Sequence, residues 1–565
     1  MRTMRKMAWA SWPLGMLCGL ALAAAVGTQA QNPASAHPPL AEPQSAAATG
    51  GYTISGTVVN ATAGEPVRRA TVAVLSEADS HTIESVESDN DGRFALPGLL
   101  AAKYQLTASK RGFRTAFYDE HEEYSTAIVT GEGQETGGLV FRLTPGAVLH
   151  GVVTGDGGDP VEGAKVMLFE RLRDHGRGPG ERTTQVNSTT TDDTGAYDFD
   201  NLAAGEYLLA VSAEPWFAMH HSGGAARQKV GGDSSAALDV AYPVTFFDSV
   251  TDESSATRIV LSGGAREEAN INLHAVPALH LTVETPRRPD GSVARAELHL
   301  TVFGTDVSAQ TASFMDAMQT GTVEFSGLPP GHYELSQGDP PRVAELDAGA
   351  NLQIDPGLGT PTVAVSGTLR TSTGSPLPDD ASVTLTALDA AHSRQSLQAA
   401  SAHGLFNFPS VTPGSWELGA ESSGRALPIG SVTVGGRIHA GSLVAVRDRA
   451  LQVAATVSLA ETRVEGSARS VTKGRSGVMV VLVPTEPEAM RSLARRDQSD
   501  SDGSFSLHDV APGVYTVVAI ENGWDLDWAR PEVIGRYLPH GVAVTVTERS
   551  GKLVRMAESV PVQTR

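Results

Sequence analysis

The sequence predicts an all-β chain, a tandem array of about five antiparallel β-sandwich domains. Three observations lead there. One pattern recurs five times: a glycine, an apolar residue seven positions on, a small residue ten on and an aromatic twelve on. Between these positions apolar and polar side chains alternate, the period of a strand with one buried face. Gly- and Pro-containing turns separate the strands, and helical periodicity is nearly absent. A chain of 565 residues also calls for several cores rather than one.

The N-terminus reads as an export signal, residues 1–30. Arg2, Arg5 and Lys6 precede an apolar run from Met7 to Val26, and Thr28-Gln29-Ala30 fits a cleavage site. The polar, Pro-rich segment 31–50 reads as a disordered linker and favours cleavage over a retained anchor. The single cysteine, Cys18, lies inside the signal, and Leu17 before it argues against lipidation. The exported chain is expected to carry no thiol, so burial and backbone pairing replace disulfides. No later segment has the roughly 18 consecutive apolar residues of a spanning helix. A formal charge of -21 disfavours nucleic acid and anionic membrane as partners.

The five copies start at Gly92, Gly195, Gly321, Gly404 and Gly503. Their aromatics are Tyr104, Tyr207, Tyr333, Trp416 and Tyr515. Side chains two and four after the first glycine, such as Tyr197 and Phe199, are expected in the core. The first glycine opens a strand after an Asp-rich turn. The second is expected to allow a backbone geometry that a side chain would penalise, so with Ala102 in its place the turn of copy one should be strained or reshaped. Upstream strand pairs such as ISGTVVN and EPVRRATVAVL, and downstream pairs such as HGVAVTVTERSGKLVRMAE, complete about seven strands per unit. The resulting division is 51–144, 145–276 with an insertion at 214–240, 277–356, 361–447 and 450–562. The third unit lacks the Gly-x-Val opening and is expected to be altered. Residues 484–498 read as a short helix or ordered loop.

The order G-x-V, P-V-x-x-A-x-V, D-x-x-G and L-x-x-G-x-Y resembles the carboxypeptidase regulatory-like domain. Gly56, Pro66, Ala70, Gly92 and Tyr104 carry it in copy one. Gly151, Pro160, Ala164, Gly195, Gly205 and Tyr207 carry it in copy two. The resemblance implies a prealbumin-like, immunoglobulin-like sandwich grouped with carbohydrate-binding folds. It is nearly silent on function, and copy five is similar to the C-terminal copy of long exported bacterial proteins of this type.

Catalytic patterns are weak. His81 and Glu84 have His-x-x-Glu spacing but sit in a unit with no room for a peptidase domain, and no G-x-S-x-G, H-E-x-x-H or P-loop occurs. Adjacent His220 and His221 point apart and read as a surface loop. Asp89, Asp192 and Asp500 resemble calcium-loop acids, but only copy five has an acid, Asp509, near the closing position. They read as hairpin-turn residues. No catalytic residue, metal site or cofactor is expected. The ligand-binding candidates are Trp216, Trp524 and Trp528, rings that an exposed loop could offer to a pyranose, whereas Trp416 reads as core. The sequence therefore predicts a non-enzymatic exported scaffold that is periplasmic, at the cell surface or secreted. Its partners would be polysaccharide or another cell-envelope protein. Sugar binding through loop tryptophans, and an accessory role beside an exported peptidase, are the other readings.

Overall fold

A computed structural model describes residues 50–77, 81–173, 181–220, 238–285, 293, 295–311, 321–388, 396–459, 462–471, 473–547 and 552–565. The signal, nearly all of the linker, His221 and the centre of the 214–240 insertion lie outside the described residues. Those described fall within one compact unit, Thr49–Arg565. No helix among them is long and apolar enough to cross a membrane.

Strands dominate, and they group into five sandwiches. The second shows the plan. Ala147–Thr154 pairs antiparallel with Ala196–Leu202 and parallel with Arg266–Glu268. The facing sheet sets Lys165–Arg173 between Glu181–Thr190 and Gly205–Ser212. Between the sheets lie Leu149, Leu168, Tyr197, Phe199, Tyr207 and Leu209, so the two expected core aromatics are core. The first-to-last parallel pairing recurs in every sandwich, as in Tyr52–Asn60 with Leu139–Leu143 and Val363–Thr371 with Leu451–Val457. The rest of the plan is antiparallel, except that in the fifth sandwich Gly513–Glu521 also pairs parallel with Val560–Thr564.

The repeated residues have repeated tasks. Gly92, Gly195, Gly321, Gly404 and Gly503 all take positive φ, from 73° to 84°, where a Cβ costs about 1 kcal/mol. Each carbonyl accepts a hydrogen bond from the opening strand of its own sandwich, from the N–H of Val58, Val153, Thr285, Leu369 or Ala468. The aromatic twelve residues on reaches back to the carbonyl four before it. Tyr104, Tyr207, Tyr333 and Tyr515 donate to Leu100, Ala203, Pro329 and Ala511, and Trp416 Nε1 donates to Thr412. These corners bury the ring and satisfy its polar tip together.

The second glycine differs from expectation. Gly205, Gly331 and Gly513 do not take positive φ, and Gly414 at 159° is extended backbone. What the position needs is room: a Cβ on Gly513 would come within 3.0 Å of the Tyr515 ring. Ala102 likewise does not take positive φ, so it carries no strain of that kind, and its N–H donates to Thr130 Oγ1.

The irregular third copy also has a physical reason. In the other four, the opening glycine faces an aromatic across the ladder: Gly56 with Phe94, Gly151 with Tyr197, Gly367 with Phe406 and Gly466 with Phe505. A Cβ on Gly367 or Gly466 would sit 2.5 Å from the ring. In the third copy Val283 faces Val323. A small partner leaves space that a larger opening residue fills, and the sandwich is complete.

Residues 484–498 form only one short turn of helix, Met490–Leu493, after a 3-10 turn at Pro487–Ala489. Arg495–Gln498 joins the sheet instead, beside Met479–Pro484. That neighbour is buried at all six positions, because both faces of its sheet are covered. Lys165–Arg173 and Gly205–Ser212 are similar: Met167, Phe169, Leu208 and Ala210 leave the second sandwich's own core and join that of the third. Phe303, at a hairpin tip with φ 47°, plugs this contact edge-on to Phe169 and Phe246. His220 ties the same pair of sandwiches. Its ring lies against Gly327, and it shares Asp239 with His280, which also meets Glu324.

Gly195→Ala should destabilise more than Gly321→Ala. At Gly195 the new Cβ would meet the Val153 carbonyl at 2.4 Å, whereas at Gly321 nothing among the described residues lies within 4 Å. Thermal melting should show a loss of about 1 kcal/mol at Gly321 and a larger one at Gly195.

Candidate binding crevice

The outer face of the fifth sandwich carries a second small core. Met479, Val481, Val518 and Ile520 point into it from the sheet. The segment 522–540 folds over them and contributes Trp524, Trp528 and Ile534. Trp524 and Trp528 are 8% and 5% exposed, so the open ring faces expected of them are covered by protein. Trp216, by contrast, is 91% exposed and meets Phe217 edge-on. The three candidate rings are not brought together.

The first sandwich completes this cover. Tyr124 packs against the small core, and the His121 ring stacks on Trp524 at 5.1 Å. Arg496 sits where the two sandwiches meet. Its guanidinium lies over Trp528 at 4.6 Å and Tyr124 at 5.1 Å, and donates twice to Glu122, at 2.6 and 3.3 Å. A buried arginine needs this combination, since its planar faces suit rings and its edge suits a carboxylate.

Around Arg496 the backbones also join. Ser501 N donates to Ala127 O, Ala127 N to Asp500 Oδ1, and Val129 N to Ser501 Oγ. Gln498 donates to the Asp119 carbonyl and to Thr126 Oγ1. Lys103 Nζ lies 2.6 Å from Asp500 Oδ2. Asp500 is thus the turn acid of copy five, put to a second use. In copies one and two the equivalent Asp89 and Asp192 spend their Oδ1 on the N–H groups of their own turns. Asp500 keeps the turn through its backbone, and its side chain holds another sandwich.

The residue before each of these acids was not singled out from sequence. Ser88, Thr191 and Ser499 bury a hydroxyl that accepts from and donates to the turn after the opening strand. Thr191, for example, links Ala164 N to Val161 O. The signal is a Ser or Thr directly before the Asp in all three acid-bearing copies.

Between the two sandwiches is a crevice of about 780 Å³. Tyr124 and Glu123 line it from the first sandwich, and Arg495, Asp497, Ser506 and Trp528 from the fifth. Burial pushes the Asp497 carboxyl up to about 7, and the nearby Asp500 charge adds to this, while the N–H groups of Ser506 and Gln498 pull it back. Burial likewise lifts Asp500 to about 6 against the pull of Lys103. Arg495 gives its donors to the carbonyls of Ser492, Ala494 and Asp509.

The other sequence candidates sit elsewhere. Glu84 lies on the edge strand Thr82–Glu87. Asp509 faces Arg425 at 3.7 Å. Among the described residues, no group of three His, Cys, Asp or Glu is placed to hold a metal ion.

Two predictions follow from the junction. Arg496→Ala should cost about 1–2 kcal/mol of junction stability, chiefly through the lost stacking of its guanidinium on Trp528 and Tyr124, since Glu122 is exposed and stays hydrated. Hydrogen exchange should then show the Ala127, Val129 and Ser501 amides losing protection. The second concerns pH. A folded carboxyl held near 7 keeps a proton that the unfolded chain releases near 4, so stability should fall as pH rises between those values. Melting of the fifth sandwich should be higher at pH 5 than at pH 8, and Asp497→Asn should flatten this slope.

Two family models match parts of this chain. Residues 53–144 and 148–216 match the carboxypeptidase regulatory-like domain. Residues 462–535 match the second beta sandwich domain of the NOMO1-like BOS complex subunit. No curated protein matches the sequence. Among solved structures, the Bacillus anthracis TIE protein is similar at 12% identity and a TM-score of 0.15, over 69% of this chain and 68% of that one. The minor pilin GBS52 of Streptococcus agalactiae is similar at 13% identity and 0.20, over 42% and 99%. The major pilin subunit BcpA of Bacillus cereus is similar at 10% and 0.14, over 55% and 99%. The chain carries two copies of the carboxypeptidase regulatory-like domain at the head of an all-β array.

Proposed function

We propose that the protein is a non-enzymatic, exported scaffold acting outside the cytoplasm, with the five-unit division given above. The latch between the first and fifth sandwiches carries this reading. It joins residues some 370 positions apart in sequence through ring stacking, the Arg496–Glu122 ion pair and backbone hydrogen bonds. Such a contact holds its sandwiches in a set arrangement, which a presenting or spacing frame needs and a loose string of domains lacks. The family match is to a regulatory-like domain, not to a catalytic one. Partners of this frame would be polysaccharide or another envelope protein.

A second reading, sugar binding through a loop tryptophan, is favoured by one observation: the open indole of Trp216. Small-angle scattering of the full chain tests the scaffold reading. A narrow distance distribution that broadens in Arg496→Ala is expected, and an extended, flexible ensemble in the unaltered protein would overturn it. Peptide hydrolysis by purified protein, abolished by a chelator, would overturn the non-enzymatic assignment. Loss of glycan binding on Trp216→Ala would establish the second reading.

A further inference from the structure

We propose that a basic cavity where the fourth and fifth sandwiches meet binds a doubly charged phosphate group, free or as a monoester on a sugar. Its volume is about 350 Å³, room for a phosphate and an attached sugar-sized group. Among the described residues five line it: Arg425, Arg463, His508, Asp509 and Lys552. The backbone gathers them from three places. Arg463 opens the strand Arg463–Ser470, and its N–H donates to the Lys552 carbonyl at 2.9 Å. His508 and Asp509 form the turn after Ser504–Leu507, with Asp509 at φ 53°. Arg425 comes from the fourth sandwich, in a hairpin where it faces Ser422. Arg425, Arg463, His508 and Lys552 are all exposed, so a ligand reaches them from solvent.

The charges select the ligand class. Acids outnumber Lys and Arg by 64 to 43 in this chain, yet in this lining three cations face one carboxylate. Like charges gathered in one small cavity repel, and an anion relieves that repulsion. The cations are also held loosely. Asp509 Oδ1 lies 3.7 Å from Arg425 and Glu465 Oε1 4.0 Å from Arg463, both longer than a hydrogen bond. The adjoining crevice, which shares Arg463, differs: its Arg496 and Arg491 are spent on Glu122 and Glu417 at 2.6 and 3.2 Å. A guanidinium fork matches two phosphate oxygens, and a lysine adds a point charge. A phosphate monoester carries nearly two negative charges at neutral pH, which balances this lining, whereas a single carboxylate would not. Because the walls come from two sandwiches, occupancy would also stabilise their contact. The site is separate from Trp216 and does not depend on the scaffold reading.

The test is calorimetric titration of the full chain near neutral pH in low salt. Probes are glucose 6-phosphate and inorganic phosphate, with glucose and glucuronate as controls. A phosphate probe should bind once per chain with a dissociation constant of about 1 mM or below, and added salt should weaken it. Tighter binding of the ester identifies a phosphorylated sugar as the source, and equal binding identifies the free ion. Arg463→Gln and Lys552→Gln should each weaken binding about 10-fold, in line with one lost charge-assisted hydrogen bond. Asp509→Asn removes the competing carboxylate, keeps a side chain that tolerates the left-handed turn, and should tighten binding. Lys473→Gln removes an exposed charge elsewhere on the fifth sandwich and should leave it unchanged. The proposal is overturned if neither phosphate probe binds at about 10 mM, well above a millimolar dissociation constant, or if glucuronate binds as well as they do. It is equally overturned if Lys473→Gln weakens binding as much as Arg463→Gln, or if neither Arg463→Gln nor Asp509→Asn changes it.

Discussion

A single backbone constraint underlies all five sandwiches: a glycine at positive φ whose carbonyl caps the opening strand. It fixes where the chain turns and which strand the turn rests on. The flanking residues then follow. A corner aromatic closes the other end of the hairpin against a carbonyl four residues back, and an opening glycine yields space to a ring across the ladder. Where that ring is a valine, the opening residue is a valine too. The repeat is conserved as a set of mutually dependent positions, not as a string of residue types.

With the inner cores so similar, the sandwiches differ in their outer faces. The fourth keeps strict alternation: Ser382–Ala387 and Gly414–Ser422 bury every second side chain. The second and fifth have strands buried on both faces, and each takes a cover. The third sandwich covers one, and the tryptophan segment with Tyr124 covers the other. Burying apolar area on a second face is worth about 25 cal/mol per Å², which ties neighbours that short linkers alone would leave free.

The inner cores were legible in the sequence because strand periodicity and turn residues record local packing directly. Trp416, Tyr197 and Phe199 stand where the pattern places them. The junction was not, because its parts are hundreds of residues apart and each has an ordinary local reading. Asp500 looks like a turn acid, RRDQ like part of a short helix or ordered loop, and WDLDW like an exposed loop. One signal was present: MVVLVP and TVVAI are unbroken apolar runs where a one-sided strand would alternate. Such a run asks for a cover, and the nearest large rings are Trp524 and Trp528. The backbone strain expected at Ala102 failed because the recurring position does not take positive φ.

The hydrogen bonds between residues 126–129 and 499–501 carry a mechanical consequence. Tension applied between the first and fifth sandwiches has two routes, one through the three sandwiches between them and one across the latch. The latch is the shorter and stiffer, so it bears the load first. When it gives way, the length held in the intermediate domains is released without any core unfolding. The molecule would then lengthen in one early step and resist afterwards, as a fuse protects the circuit behind it.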